Sequence, residues 1–215
     1  MKKIVLIGDS IRMGYDKYVS EALADVAEVY YPAENCRFAQ YTLRSFHDWK
    51  EKGAWPADID LVHWNVGLWD VPEIYGDPPL SSIEHYKDMI TRIDRRIRLL
   101  YPSAKVVFAT TTSVVDEMFV GKRFQRRNSV IEEFNAAARE ALAGTGTIIN
   151  DLYAHSCRCP MAYRSDETHY NTPEGAAFMG GKVLSVICEE LGIAATDVNV
   201  ENFKLEDYSL DNIGY

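Results

Sequence analysis

The chain has few of the features that would place it among scaffolds, membrane proteins or nucleic-acid binders. Its 215 residues hold four cysteines, Cys36, Cys157, Cys159 and Cys188. So few thiols in a chain this long do not build a disulfide framework. Cys157 and Cys159 have one residue between them, whereas zinc-binding pairs usually have about two to four, and there is no second pair. The sequence therefore predicts neither a metal nor any other cofactor. Long apolar runs are missing too. The opening run spans only Ile4 to Ile7, too short for a leader's apolar segment or for the roughly 20 residues of a membrane helix. The expectation is a soluble, cytoplasmic protein with no membrane partner. Basic residues are in deficit, 23 against 32 acidic ones, for a net charge of −9. Backbone binding to nucleic acid depends on a basic surface, so that class of partner is excluded. No Pro/Gly/Ser-rich linker or internal repeat divides the chain, and 47% of it is hydrophobic, which suits one domain with a sizeable core.

What is present is a regular alternation. Apolar strands are expected at 4–7, 27–31, 59–67, 105–112 and 146–151. Between and after them come helical patterns at 16–24, 42–53, from the Ser81–Glu84 stretch to about 100, 128–144 and 173–191. Ser81-Ser82-Ile83-Glu84 reads as a capping box with Ser81 as the cap, and Thr172-Pro173-Glu174 as the start of the last helix. Strands alternating with helices predict a three-layer α/β/α fold with a five-stranded parallel sheet in the flavodoxin-like order 2-1-3-4-5. That order sets the ends of strands 1 and 3 side by side, where such folds place their sites.

Strand 1 runs into Gly8-Asp9-Ser10. A reactive serine needs a base, and the base an orienting acid. Of the five histidines, His47, His63 and His85 lie within predicted elements and read as structural or surface groups, and His155 is a weaker alternative. His169 sits in a polar loop before the last helix, three residues after Asp166. In a tight turn, that spacing lets the carboxylate reach Nδ1 and leaves Nε2 facing a hydroxyl.

Gly8-Asp9-Ser10 after the first strand, with Asp166-Glu167-Thr168-His169 before the last helix, resembles the first and last blocks of the SGNH (GDSL-type) hydrolases. The likeness spans residues 4 to about 190. It implies a catalytic set of Ser10 as nucleophile, Asp166 as acid and His169 as base. The G-x-S-x-G elbow of ordinary α/β-hydrolases is absent. The middle blocks depart from the family pattern. Gln40 stands at the position of the second-block glycine, whose backbone N–H serves the oxyanion hole. The third block, normally Gly-x-Asn-Asp, reads Gly67-Leu68-Trp69-Asp70. Losing an oxyanion donor typically costs about 10²–10³ in turnover. The side-chain amide of Asn65 is the favoured replacement and the Trp69 indole N–H the other. The expected oxyanion donors are thus Ser10, Gln40 and Asn65, with Asp9 and Trp69 on the substrate side.

The family implies ester hydrolysis through an acyl-serine, and a small acetyl-like acyl group on a carbohydrate is the favoured substrate. A lysophospholipase, a thioesterase or a catalytically silent ligand-binding module are the alternatives. A nucleotide- or flavin-binding domain would share the sheet order. However, residues 8–14, GDSIRMG, form neither a G-x-G-x-x-G nor a P-loop. Lys122, Arg123, Arg126 and Arg127 crowd one predicted loop and read as solvated, or as a receiver of an anionic substrate group. Arg12 reads as a substrate contact or a partner of Asp9 or Asp70. The hydrolase domain is set at 1–195. The acidic tail 196–215 carries Phe203, Leu205, Tyr208 and Leu210, and is expected to pack on the domain or on a second copy of the chain.

Overall fold

In a computed structural model, residues 1–200 are described. The body of the tail reading, 201–215, lies outside the described residues. The elements are β1 (Lys2–Ile7), α1 (Ser10–Ala22), β2 (Ala27–Tyr30), α2 (Ala39–Lys52), β3 (Leu61–Trp64), β4 (Glu73–Ile74), α3 (Ile83–Leu100), β5 (Lys105–Ala109), β6 (Phe124–Gln125), α4 (Asn128–Leu142), β7 (Ile148–Asn150), α5 (Leu152–Ser156) and α6 (Pro173–Leu191).

The five long strands form one sheet in the order β2-β1-β3-β5-β7, all parallel. Counting those five alone, the order is 2-1-3-4-5. β1 and β3 lie in the middle, and Ile4–Ile7 and Leu61–Trp64 are wholly buried. Strands covered on both faces read as continuous apolar runs rather than alternating ones, as these do. Helices α1 and α6 pack together, and α3 packs against both α2 and α4. Ile7 pairs with Trp64, and Trp64 with Phe108. The chain segments that leave β1 and β3 therefore start level with one another, and the Asn65 N–H donates to the Ile7 carbonyl (3.0 Å).

Four local expectations are corrected. Helix α1 begins at Ser10, not at Asp16. Ser10 through Asp16 are all buried, so the first two turns show no polar face to betray a helix. The cap of α3 is Ser82, whose Oγ accepts the His85 N–H (3.2 Å). Ser81 instead donates to Asp70 (2.8 Å). The predicted strand at 105–112 ends at Ala109, and Thr110–Ser113 continue as buried loop. Finally, the cationic stretch is not simply a solvated loop. Its Phe124 and Gln125 pair antiparallel with Ile74 and Glu73 in a separate two-stranded ribbon, β4–β6.

No helix among the described residues is long and apolar enough to cross a membrane.

Candidate active site

Ser10 is the first residue of α1, directly beyond the end of β1. Asp9 caps the helix, its Oδ1 accepting the Ile11 N–H (3.0 Å). Gly8 has an ordinary φ. Its lack of a side chain matters for another reason. A Cβ there would sit 2.1 Å from Asn65 Oδ1 and 2.7 Å from the Arg12 Cβ. The glycine leaves room for neighbouring side chains rather than for a sharp turn.

The loop before α6 brings the other two groups. Ser10 Oγ lies 2.8 Å from His169 Nε2. His169 Nδ1 lies 2.8 and 3.0 Å from the two oxygens of Asp166. The Asp166 carboxylate also accepts the backbone N–H groups of Thr168 and His169, each at 2.7 Å. Partial burial opposes its charge, but these bonds and the imidazole hold the carboxyl well below the usual range. The loop is pinned at both sides. The Ser165 N–H donates to the His169 carbonyl (3.0 Å), and the Val115 N–H to the Glu167 carbonyl (2.8 Å). Ser10 and His169 are nearly buried, and the structure brings Ser10, Asp166 and His169 into one hydrogen-bonded chain.

This chain opens on a cavity of about 400 Å³ lined by Ser10, Trp69, Phe119, Phe124, Arg126 and residues 166–169. Trp69, expected on the substrate side, forms part of its wall. Gln40 is the second residue of α2 and does not line the cavity. The N–H before it, on Ala39, is taken by the Asp70 carboxylate (3.0 Å). The Gln40 N–H belongs to the first helical turn, where no intrahelical acceptor exists.

Like Gln40, two more expected site residues lie off the cavity wall. Asp9 is fully buried and does not line the cavity. It caps α1 from a buried position. Burial pushes its carboxyl up, against the Ile11 N–H and the charges of Arg126 and His169. Asn65 also lies off the cavity wall. Its amide nitrogen is 3.5 Å from Asp9 Oδ1, and its amide oxygen faces Gly8. β3 ends at Trp64, so the alternation that would aim Asn65 toward the rim has already stopped.

Arg12 pairs with Asp16, and not with Asp9 or Asp70. It also donates to the carbonyls of Pro32 (2.9 Å) and Glu34 (2.6 Å), tying α1 to the segment before α2. His63 is buried against Asn150 (3.1 Å), and burial drives its pKa down to about 3. His155 stacks on Phe178. Residues 119–126 are the part of the wall that the sequence did not reveal. Only the cation cluster at 122–127 marked them.

No family model and no curated protein sequence matches the chain. Solved structures do. A lipase/acylhydrolase from Enterococcus faecalis aligns with 92% of this chain and 100% of its own, at 18% identity and a TM-score of 0.66. An acetyl xylan esterase, AlAXEase, aligns over 86% and 99%, at 16% identity and a TM-score of 0.65. A GDSL-like lipase from Bacteroides thetaiotaomicron aligns over 87% and 88%, at 16% identity and a TM-score of 0.61. At these identities the likeness is one of fold. The chain has the fold of the GDSL-type hydrolases.

Proposed function

We propose that the chain is a serine esterase that hydrolyses a small, acetyl-like ester on a carbohydrate through an acyl-serine intermediate. The observation that carries this reading is the continuous contact from Ser10 Oγ to His169 Nε2 and from His169 Nδ1 to Asp166, opening on a cavity with three aromatic rings.

The chemistry follows from the roles those positions permit. His169 accepts the Ser10 proton as Oγ attacks the acyl carbon. Asp166 holds the imidazole in the tautomer that leaves Nε2 able to accept, and stabilises the imidazolium. The resulting oxyanion meets the Ser10 N–H, in the first turn of α1, where both the unpaired donors and the helix dipole favour negative charge. His169 then protonates the departing alcohol, and the acyl group stays on Ser10. Water, deprotonated by His169, releases the acid. The small cavity and its Trp69 face suit a short acyl chain and a sugar ring. The acetyl xylan esterase among the fold neighbours adds support.

The test is a fluorophosphonate probe together with a panel of 4-nitrophenyl esters and acetylated sugars. The probe is expected to label the wild type and not Ser10→Ala, and turnover to fall as the acyl chain lengthens. Labelling that persists in Ser10→Ala would remove the nucleophile assignment. Turnover that rises with chain length would move the reading to a lipase or thioesterase.

A further inference from the structure

The turn from Asp166 to His169 takes its shape from within. Asp166 accepts the N–H groups of Thr168 and His169 and faces the imidazole. Those bonds do not set where the turn stands relative to Ser10, which belongs to α1. Placement has to come from what the turn holds outside itself. Arg164 lies two residues before Asp166, and Tyr170 directly follows His169. Their side chains meet: the Arg164 guanidinium lies 4.5 Å from the centre of the Tyr170 ring. Both also reach one residue, Ser113. The Tyr170 hydroxyl donates to the Ser113 carbonyl (2.9 Å), Arg164 Nη2 donates to Ser113 Oγ (2.9 Å), and Arg164 Nη1 donates to the same carbonyl (3.3 Å).

Ser113 is a fixed point. Its N–H donates to Ser156 Oγ in α5 (2.9 Å). Two residues earlier, the Thr111 N–H donates to Asn135 Oδ1 in α4 (2.7 Å), and the Thr111 carbonyl accepts from Asn135 Nδ2 (2.9 Å). Ser113, Ser156 and Tyr170 are almost fully buried. Hydrogen bonds at such depth are costly to leave unmade, so the arrangement has few alternatives. Other contacts hold the middle of the turn: the Val115 N–H and Lys122 on Glu167, and Arg126 on Thr168. Arg164 and Tyr170 hold its two ends, and the Tyr170 end is the one next to the imidazole. None of Arg164, Tyr170 and Ser113 lines the cavity, so their effect on the reaction passes through the turn.

We propose that Arg164 and Tyr170 are positioning residues for the base: by gripping Ser113 from both ends of the turn, they set His169 Nε2 within hydrogen-bond reach of Ser10 Oγ. For its kinetic consequence this rests on the esterase reading. For the local order of the turn it does not. A misplacement of about 1 Å can cost about 10²-fold in rate. His169 serves both acylation and deacylation, so kcat is the quantity at risk whichever step limits, while KM is not. The experiment uses Arg164→Gln, Arg164→Lys and Tyr170→Phe. It measures kcat and KM on 4-nitrophenyl acetate, the rate of fluorophosphonate labelling, the urea midpoint, and amide exchange by mass spectrometry.

In Arg164→Gln, kcat and the labelling rate are expected to fall together by about 10- to 100-fold, with KM changed by no more than about twofold. Arg164→Lys, which keeps the cation without the fork, should recover part of the loss. Tyr170→Phe keeps the ring beside the guanidinium and loses one hydrogen bond, so kcat should fall about fivefold. That near-isosteric change also carries the test if Arg164→Gln fails to fold. A lower urea midpoint with kcat and labelling unchanged overturns the proposal, since the clamp would then add stability alone. A rise in KM at constant kcat overturns it too, by putting these residues in contact with substrate. Exchange needs no turnover. Peptides spanning 164–171 are expected to exchange faster in Arg164→Gln, while those of β1 and β3 keep their rates. If the fluorophosphonate never labels the wild type, the esterase reading falls and exchange alone decides. Faster exchange confined to 164–171 would leave the clamp standing, and unchanged rates there would overturn it as well.

Discussion

Ser10 is positioned by neighbours that do not line the cavity. Asp9 caps its helix, Asn65 contacts Asp9, and Gly8 leaves the space that Asn65 occupies. The juxtaposition of Ser10, His169 and Asp166 was legible in the sequence because it is tied to short spacings: a serine directly after a strand, and an Asp and a His three residues apart. Asn65 was misread because its role depends on where β3 stops, and strand ends are set by packing rather than by local pattern. Arg126 was hidden for a different reason. In a cluster of four cations, nothing local says which one the fold will bury. The placement of Asn65 makes a specific prediction. Asn65→Ala should remove a hydrogen bond to Asp9 and leave a void beside Gly8. It is expected to cost about 1–3 kcal/mol in stability, read by urea unfolding, while kcat changes by only a few fold. A fall of about 10²–10³ in kcat at undiminished stability would return the amide to the oxyanion hole.

At the scale of elements, the entry to α2 is governed by one carboxylate. Asp70 accepts the Ala39 N–H and the Ser81 hydroxyl, joining the start of α2 to the segment that leads into α3. It is nearly fully buried, and burial pushes its carboxyl up to about 7, against those two hydrogen bonds. The sign of the linkage follows. An acid whose folded pKa is raised holds its proton in the fold at a pH where the unfolded chain has lost it. Its contribution therefore falls as pH rises from about 4 to about 7. Asp166, held low, works in the opposite sense, and its contribution is lost only as the solution becomes strongly acidic. Asp70→Asn keeps an acceptor for Ala39 without the ionisation. It is expected to flatten the decline in stability between pH 4 and 7 and to gain most, relative to wild type, near pH 8. Parallel pH–stability curves for the two proteins would show that Asp70 ionises as easily folded as unfolded. The sequence marked this region only as a capping signal, one residue early. The serine pair was visible there, but the distant acid that claims Ser81 was not.

The whole molecule divides into a sheet whose order the strand–helix alternation predicted and a cavity wall that it did not. The central strands are covered on both faces, and a five-strand parallel order follows from the rhythm of the sequence alone. The β4–β6 ribbon has no such rhythm, since strands of two residues are too short to show a period. The two parts should also differ in resistance to unfolding. An isolated two-stranded ribbon is marginal in water. This one and its flanks are largely exposed, with Tyr75 at 71% and Val120 at 81%. Yet the same region supplies Phe119, Phe124 and Arg126 to the cavity, whereas Ser10 and His169 are anchored on α1 and on the pinned loop before α6. Local opening draws on regions with few buried apolar contacts. Under increasing urea, ester turnover is therefore expected to fail at lower concentration than the helical signal in circular dichroism. Fluorophosphonate labelling of Ser10 should persist further than that turnover, because Ser10 sits on α1 and the His169 loop is also held by its own backbone hydrogen bonds. Amide hydrogens at 73–76 and 120–125 should exchange faster than those of β1 and β3. Coincident midpoints for turnover, labelling and helix content would mean that the ribbon unfolds only with the core, and that the cavity wall is as firmly held as the sheet.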